Sequence, residues 1–371
     1  MLTIEKIDDL DAFSELKDEW GELLARCPHR TPFLTHEWMM TWWNYFGVGR
    51  ELCILALREN GRLVAIAPLM KYWGWFYDRY LKIPARIIET MANYHSNRVD
   101  LIYAEFRDEY LTKLWEYLLT QKGWDFLRLY PLPANSPTVA GLRRLVDHQP
   151  VRAAFVRDQT SPYLIIQNDW NTYARQLPYQ VKRKVRKAER LISEVDLKTE
   201  IFTQDADLDA IMSQLFAVAE KGWAGEQQTA ISSTAQLRGF YTDLAHVARR
   251  QGWLYLCLLR LGEQAVAYEY NLRYGQTAYN LKLGFDPAFA HYSPGSVLRY
   301  SVLSNAFQNG HRLSEFDFLG NAESYKRMWT QQTRLHLKVY LYHPRSAYGR
   351  LLHLIQSELI EPLKARRRPT G

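Results

Sequence analysis

Apolar residues along this chain recur with two different periods, and the alternation between them outlines its elements. Leu10, Phe13, Leu16, Trp20, Leu23 and Leu24 fall on one side of a helix, as do Leu208, Ile211, Met212, Leu215, Phe216 and Ala219. A third helical stripe, Leu237, Phe240, Tyr241, Leu244, Val247 and Ala248, follows Ser233-Thr234-Ala235-Gln236, which has capping-box spacing, and Gly252 is placed to close it. Between these stripes the period shortens. Residues 51–72 (ELCILALRENGRLVAIAPLMKY) read as strand, turn, strand about Asn60-Gly61, the dipeptide selected by the positive φ angles of a type I′ turn. Residues 253–275 (WLYLCLLRLGEQAVAYEYNLRYG) read the same way about Gly262.

The two hairpins belong to a longer repeat. Residues 107–130 give a helix (LTKLWEYLLTQK), a stop at Gly123 and a strand; residues 295–319 give a helix (GSVLRYSVLSNAFQN), a stop at Gly310 and a strand. The offsets Gly61 to Gly262 and Gly123 to Gly310 are both roughly 190 to 200 residues, which points to a duplicated unit. Each copy runs helices, antiparallel hairpin, helix, strand, the order of an α+β fold with helices on a mixed, mostly antiparallel sheet. The expected division is residues 1–160, residues 161–345, and a C-terminal amphipathic helix with basic tail over 346–371.

Composition narrows the class. With 371 residues, 47% hydrophobic and 23% charged, two packed domains are affordable. No apolar run approaches the ~18 to 20 residues of a spanning helix, so no transmembrane segment is expected. The first thirty residues are acidic and lack a secretory pattern, which points to the cytoplasm. Cys27, Cys53 and Cys257 form no CxxC, and no HExxH, GxSxG or GxxxxGK[ST] occurs, which leaves no support for a cysteine zinc site, a metal hydrolase, a serine hydrolase or an NTPase. A metal-independent chemistry is expected. The net charge of +7 favours an anionic partner.

Two segments offer places for one. In Pro178–Arg190, Val181, Val185, Ala188 and Ile192 make an apolar helical face while Lys182, Arg183, Lys184, Arg186, Lys187 and Arg190 crowd the remainder, either as a solvated surface or as a face for donor phosphates or RNA. The helix opening at Pro294-Gly295-Ser296-Val297 has no acid in its first turn, as anion binding at a helix start requires; its counterpart opens with Asp108 and Glu109.

The motif series Lys221-Gly222-Trp223-Ala224-Gly225, Gly284-Phe285-Asp286-Pro287, Tyr292-Ser293-Pro294-Gly295, Phe316-Asp317-Phe318-Leu319-Gly320 and Glu323-Ser324-Tyr325-Lys326-Arg327-Met328-Trp329 resembles the GNAT acetyltransferase-like domain of cellulose-biosynthesis proteins of the CelD type. That group is similar to the Fem peptidoglycan aminoacyltransferases, built as tandem GNAT folds. The resemblance is good over residues 155–340 and looser over 1–150, through Thr35-His36-Glu37-Trp38 and the first hairpin. It implies tandem GNAT folds, with a first domain serving as scaffold or acceptor wall and a second that binds the donor. An acyl-CoA or acetyl-CoA donor would place its pantetheine beside the strand at about Thr277–Leu283 and its phosphates on Pro294, Gly295, Ser296 and Val297, with Lys282 a further donor contact. Tyr-Ser-Pro-Gly stands where the family has an Arg/Gln-x-x-Gly-x-Gly/Ala loop. Aminoacyl-tRNA is the alternative donor, held by the Lys182–Arg190 helix, and a non-catalytic scaffold in polysaccharide biosynthesis is a third reading.

Acyl transfer to an amine needs a base, close alignment and donors for a developing oxyanion. Lys326 resembles the lysine of the Fem Phe-Lys motif and is a candidate oxyanion or phosphate contact. Asp317, alternating with Phe316 and Phe318, is a candidate base or an ion-pair partner. Tyr325 is a candidate leaving-group acid; Glu323 and Trp223 are candidate acceptor contacts. In the first domain Asn93, His95 and Arg98 sit in an unusually polar run that suits an acceptor pocket or a hydrogen-bonded loop. The acceptor is expected to be a small molecule or cell-envelope precursor bearing an amine.

Overall fold

Both glycine-marked hairpin turns form with the backbone those residues permit. Asn60 and Gly61 take φ of 50° and 84°, and Gly262 takes 55°, a region where an L side chain is disfavoured. The computed structural model describes residues 1–78, 81–204, 207–222, 231–308 and 313–360. Within it the chain forms two units: residues 1–159 with 335–371, and residues 160–334. The sequence division at 345 therefore shifts to 334. The reason is strand pairing and burial: the strand after Arg334 hydrogen-bonds inside the first unit, and the helix behind it buries Leu352 among Phe76, Phe126 and Tyr342.

In chain order the elements are β1 (Leu2–Ile7), α1 (Leu10–Glu15), α2 (Lys17–Ala25), α3 (His36–Phe46), β2 (Glu51–Leu52), β3 (Ile54–Glu59), β4 (Arg62–Ala67), β5 (Leu69–Asp78), β6 (Leu81–Thr90), β7 (Ile102–Tyr103), α4 (Asp108–Thr120), β8 (Phe126–Pro133), α5 (Pro137–His148) and β9 (Arg152–Ile165). The chain continues through α6 (Trp170–Gln176), α7 (Tyr179–Glu194), β10 (Leu197–Phe202), α8 (Leu208–Lys221), α9 (Ala235–Arg250), β11 (Leu254–Leu261), β12 (Gln264–Tyr274), β13 (Thr277–Phe285), α10 (Pro294–Gln308), β14 (Glu315–Asp317) and α11 (Ser324–Arg327). It ends with β15 (Thr333–Tyr342) and α12 (Ala347–Leu354).

The first unit holds the strand order β1-β3-β4-β7 and the order β15-β8-β6-β5-β2. Here β6 and β8 are parallel, Ile87 opposite Phe126, while β8 and β15 are antiparallel, Leu127 opposite Leu341. The second unit has the order β10-β11-β12-β13-β14-β9. In it β13 and β14 are parallel and β14 and β9 antiparallel, Phe316 opposite Leu164. Strand, helices, hairpin, crossover helix and parallel strand thus recur in both units, and an antiparallel strand flanks the parallel one in each: β15, late in the chain, in the first unit and β9, ahead of the other strands, in the second. The helix crossovers follow from parallel pairing, which a tight turn cannot connect.

Local chemistry explains most boundaries. Thr234, one residue later than the start of the capping-box run, accepts the Leu237 N–H and starts α9; Gly252, at φ 71°, ends it. On α7 the buried stripe is Val181, Val185, Ala188 and Leu191, with Ile192 exposed, so the apolar face steps by three at its end rather than four. The β5–β6 hairpin was not foreseen. Its run YWGWFYD is aromatic on both faces, which hides the period-two signal. Gly310, and the basic tail Lys364–Arg368, lie outside the described residues.

Candidate functional site

The second unit's sheet opens at one place. Pairing of β13 with β14 runs Thr277–Glu315, Ala278–Phe316 and Tyr279–Asp317, and ends there, although β13 continues to Phe285. At the same level the pairing of β13 with β12 shifts by one residue, Tyr270 facing Lys282 and Asn271 facing Asn280. A bulge that bends one strand away from its neighbour produces a wedge whose walls are the backbone of β13 and the end of β14.

Three elements deliver four polar side chains to this region. Glu269 and Asn271 come from β12, Asn280 from β13 and Arg299 from α10; all four are buried. Arg299 Nε lies 3.0 Å from Glu269 Oε1, its Nη2 donates to Asn280 Oδ1 at 2.9 Å, and Asn280 Nδ2 donates to Asn271 Oδ1 at 2.7 Å. The guanidinium also sits over the rings of Phe316 and Phe318. Arg299 Nη1 is buried with no hydrogen-bond partner among the described residues. Burial raises the Glu269 carboxyl above the usual range, against the opposing pull of Arg299 and the Asn271 amide. This network was missed by the sequence reading. Its signal was a carboxylate and an amide, Glu269 and Asn271, alternating with Tyr268, Tyr270 and Leu272 in an otherwise apolar strand.

At the end of β14 the backbone makes a strained turn, Leu319 and Gly320 taking φ of 53° and 59°. Asp317 and Lys326 hold it. Asp317, fully buried, accepts the Leu319 N–H at 2.9 Å and lies 3.4 Å from Arg334 Nη1. Lys326 Nζ donates to Leu319 O at 2.8 Å and Asn321 O at 3.2 Å and pairs with Glu323 Oε2 at 2.8 Å. Both residues are candidate reactive groups in the sequence, and here both are anchored: the carboxylate is an acceptor for the turn and lies beside Arg334, and three acceptors meet the three ammonium donors of Lys326. Burial lowers the Lys326 pKa despite Glu323. Lys282, on the part of β13 beyond its pairing with β14, is pushed down to about 8 by burial and then by the charge of Lys326. Tyr325, half-exposed, has its hydroxyl raised to about 12 by burial and then by Glu323, so it stays protonated at neutral pH.

α10 begins at Pro294, preceded by Ser293 at φ 56°, and carries no acid in its first turn. Val297 is buried, whereas Gly295 and Ser296 are partly exposed. Lys187 of α7 donates to His291 O and Ser293 Oγ, both at 3.0 Å, and Lys184 reaches Met328 Sδ at 3.7 Å, so the basic helix runs alongside this start and α11. The Lys221 and Asp286 motifs also meet: Nζ to Oδ2 is 3.1 Å, and a Cβ on Gly222 would stand 3.2 Å from Phe285 O. Trp223 lies outside the described residues.

Asn93, His95 and Arg98 lie in the first unit. There Asn93 Oδ1 accepts the His95 N–H at 2.9 Å, the His95 ring packs on Tyr94 and Phe46, and Arg98 O accepts from Thr31 Oγ1 at 3.5 Å. The run is a hydrogen-bonded loop. Asp100 at its end is buried, accepts from Leu101 N and Ser136 Oγ and lies 3.8 Å from His29. No group of three or more His, Cys, Asp or Glu that could hold a metal ion occurs among the described residues.

Residues 175–327 match the GNAT acetyltransferase domain. No curated protein sequence matches the chain. Among solved structures, FemX is similar over 94% of this chain and 100% of its own, at 12% identity and TM-score 0.61. A conserved protein of unknown function from Bacteroides thetaiotaomicron is similar over 92% and 100%, at 13% identity and TM-score 0.59. The C-terminal domain of a putative lysylphosphatidylglycerol synthetase from Agrobacterium fabrum is similar over 92% and 97%, at 11% identity and TM-score 0.55. The fold is of the GNAT type, mixed sheets flanked by helices, and the chain is an acyltransferase.

Proposed function

We propose that the protein is an N-acyltransferase that takes an acyl group from acyl-CoA and places it on an amine, with the donor held by the second unit. The observation that carries the reading is the divergence of β13 from β14 immediately before an acid-free helix start. Backbone of β13 that keeps β12 on one side but has run past β14 on the other suits the amides of an extended pantetheine, and the tip at Pro294–Val297, with Lys187 beside it, suits the phosphates. Glu269, a carboxylate whose pKa burial raises and which comes from the strand next to β13, is the proposed acceptor of the proton that an attacking amine loses. Tyr325 supplies a proton to the departing thiolate. Lys326 and Asp317 fix the turn that ends the wedge, and Lys282 adds positive charge along it. Within the second unit, Glu323 is the proposed acceptor contact.

A second donor, aminoacyl-tRNA, is favoured by α7, whose Arg183, Lys184, Arg186 and Arg190 are exposed on a helix that flanks the same start. The names of the neighbours FemX and lysylphosphatidylglycerol synthetase accord with this alternative and with an envelope or lipid acceptor. Titration calorimetry with CoA and acetyl-CoA, alongside a turnover screen of acyl-CoAs against charged tRNA, separates the two. Binding of CoA supports the first. A steep salt dependence of tRNA binding that is lost when Lys182, Arg183, Arg186 and Arg190 are neutralised supports the second.

A further inference from the structure

The first unit carries an exposed aromatic surface that neither reading of the reaction uses. Trp73 and Trp75 are 73% and 55% exposed, and Val48, in the loop after α3, is 86% exposed. All three line one groove of about 660 Å³ with Arg50, Lys82 and Arg128. Large apolar side chains so exposed in one cluster mark an interaction site rather than ordinary surface.

Alternation along β5 explains the exposure. Phe76 faces the small core formed with Phe126, Tyr340 and Tyr342, and Trp73 and Trp75 stand on the other face of the hairpin, opposite Arg86 and Pro84 of β6, while Tyr72, with the Arg50 guanidinium 5.2 Å over its ring, lines the groove from the first face. A strand added along the β5 edge would pair with its backbone and leave these two rings uncovered, because strand side chains stand perpendicular to the sheet. A broad surface laid against the hairpin covers Val48, Trp73 and Trp75 together.

The charge identifies that surface. Cations line the groove and no carboxylate is among its lining residues. Arg128 is neutralised from behind by Glu89, whereas Arg50 hydrogen-bonds through Nη1 only to a backbone carbonyl, Phe46 O, and its Nε is buried without a partner among the described residues. A second copy of the chain would bring the same cations against these. Tryptophans beside lysine and arginine match the interfacial zone of an anionic bilayer, where indoles sit among the headgroups and cations meet phosphates.

We propose that the face formed by Val48, Trp73, Trp75 and Lys82 docks the protein peripherally on an anionic membrane surface. The test is co-sedimentation of the full chain with vesicles of phosphatidylcholine alone and of equal parts phosphatidylcholine and phosphatidylglycerol. Binding is expected only to the mixed vesicles, weakening as salt rises, and falling about tenfold or more in Trp73→Ser/Trp75→Ser, with circular dichroism confirming an unchanged fold. Lys82→Gln, which leaves the rings in place, should lower affinity for mixed vesicles alone. Absence of binding to the mixed vesicles, or equal binding by the double tryptophan variant, overturns the proposal. So does a dimer in sedimentation equilibrium that the double variant dissolves, which would assign the face to self-association, or binding of an extended acidic peptide that outcompetes the vesicles.

Discussion

Removing one side of the Glu269–Arg299 pair should unbalance the second unit more than any surface change. Both side chains are at most 5% exposed, and they face each other at 3.0 Å. Breaking a buried pair costs about 3 to 5 kcal/mol because the surviving charge has lost its partner. For a unit of this size that corresponds to a fall in Tm of about 6 to 20 °C. The two single variants should differ in pH dependence. In Arg299→Met the orphan is a carboxylate whose folded pKa, already raised by burial, rises further. A raised carboxylate destabilises above its unfolded value, and the deficit shrinks as the pH falls and Glu269 takes up a proton. In Glu269→Gln the orphan is a guanidinium that cannot shed its charge, so its deficit should stay flat between acid and mild base. The double variant Glu269→Leu/Arg299→Met removes both charges, including the unpartnered Nη1, and should recover most of the lost stability. Thermal unfolding of the four proteins from pH 5 to 8 reads all three effects. Single variants within about 1 kcal/mol of the parent, or equal pH profiles for both, would refute the account of this network.

Other outcomes follow from single positions. Gly295→Asp is sterically accommodated, since an added Cβ meets only Phe285 Cδ1 at 3.5 Å, so a folded variant should bind CoA about 5- to 150-fold more weakly; unchanged affinity in calorimetry sinks the phosphate assignment. Lys282, with its pKa near 8, carries its charge below that pH and loses it above, so affinity for an anionic donor should decline between pH 7 and 9. Lys282→Arg should flatten that decline, and a parallel decline in both proteins would exclude Lys282 as its source. Gly320→Ala places a Cβ 3.1 Å from Lys326 Nζ at a residue with φ 59°, and should destabilise by about 1 to 3 kcal/mol; denaturant melting that shows no loss would contradict the strained-turn description.

Legibility in the sequence followed the range of the interactions. The hairpins at Gly61 and Gly262, the helix at Pro294 and the repeat were readable because turn chemistry and amphipathic period are local. The β5–β6 hairpin was not, since aromatic residues on both faces erase alternation. The reactive-looking residues Asp317 and Lys326 lie at the end of β14 and in α11, but what they touch depends on the turn at Leu319 and on Arg334, which no local pattern specifies. Glu269 and Arg299 stood in apolar stretches thirty residues apart, and only the packing of α10 on the sheet brings them together. α10 itself is buried along most of its length, so Arg299 had no polar face to announce it.

The path of the chain also sets an order of assembly. The first unit is left at Gln159 and regained only at Leu335, where β15 completes the pairing of β8 and α12 closes the small core around Phe76 and Phe126. During synthesis, the unit encoded in the middle has all of its strands once Arg334 has emerged, while the one that begins at the N-terminus still lacks its last strand. The N-terminal portion must therefore wait, with the hydrogen-bonding edge of β8 uncovered, for the entire second unit to be made. A nascent chain stopped short of residue 335 would present a finished transferase fold tethered to an unfinished one, and its hazard would be strand exchange between neighbouring chains at β8.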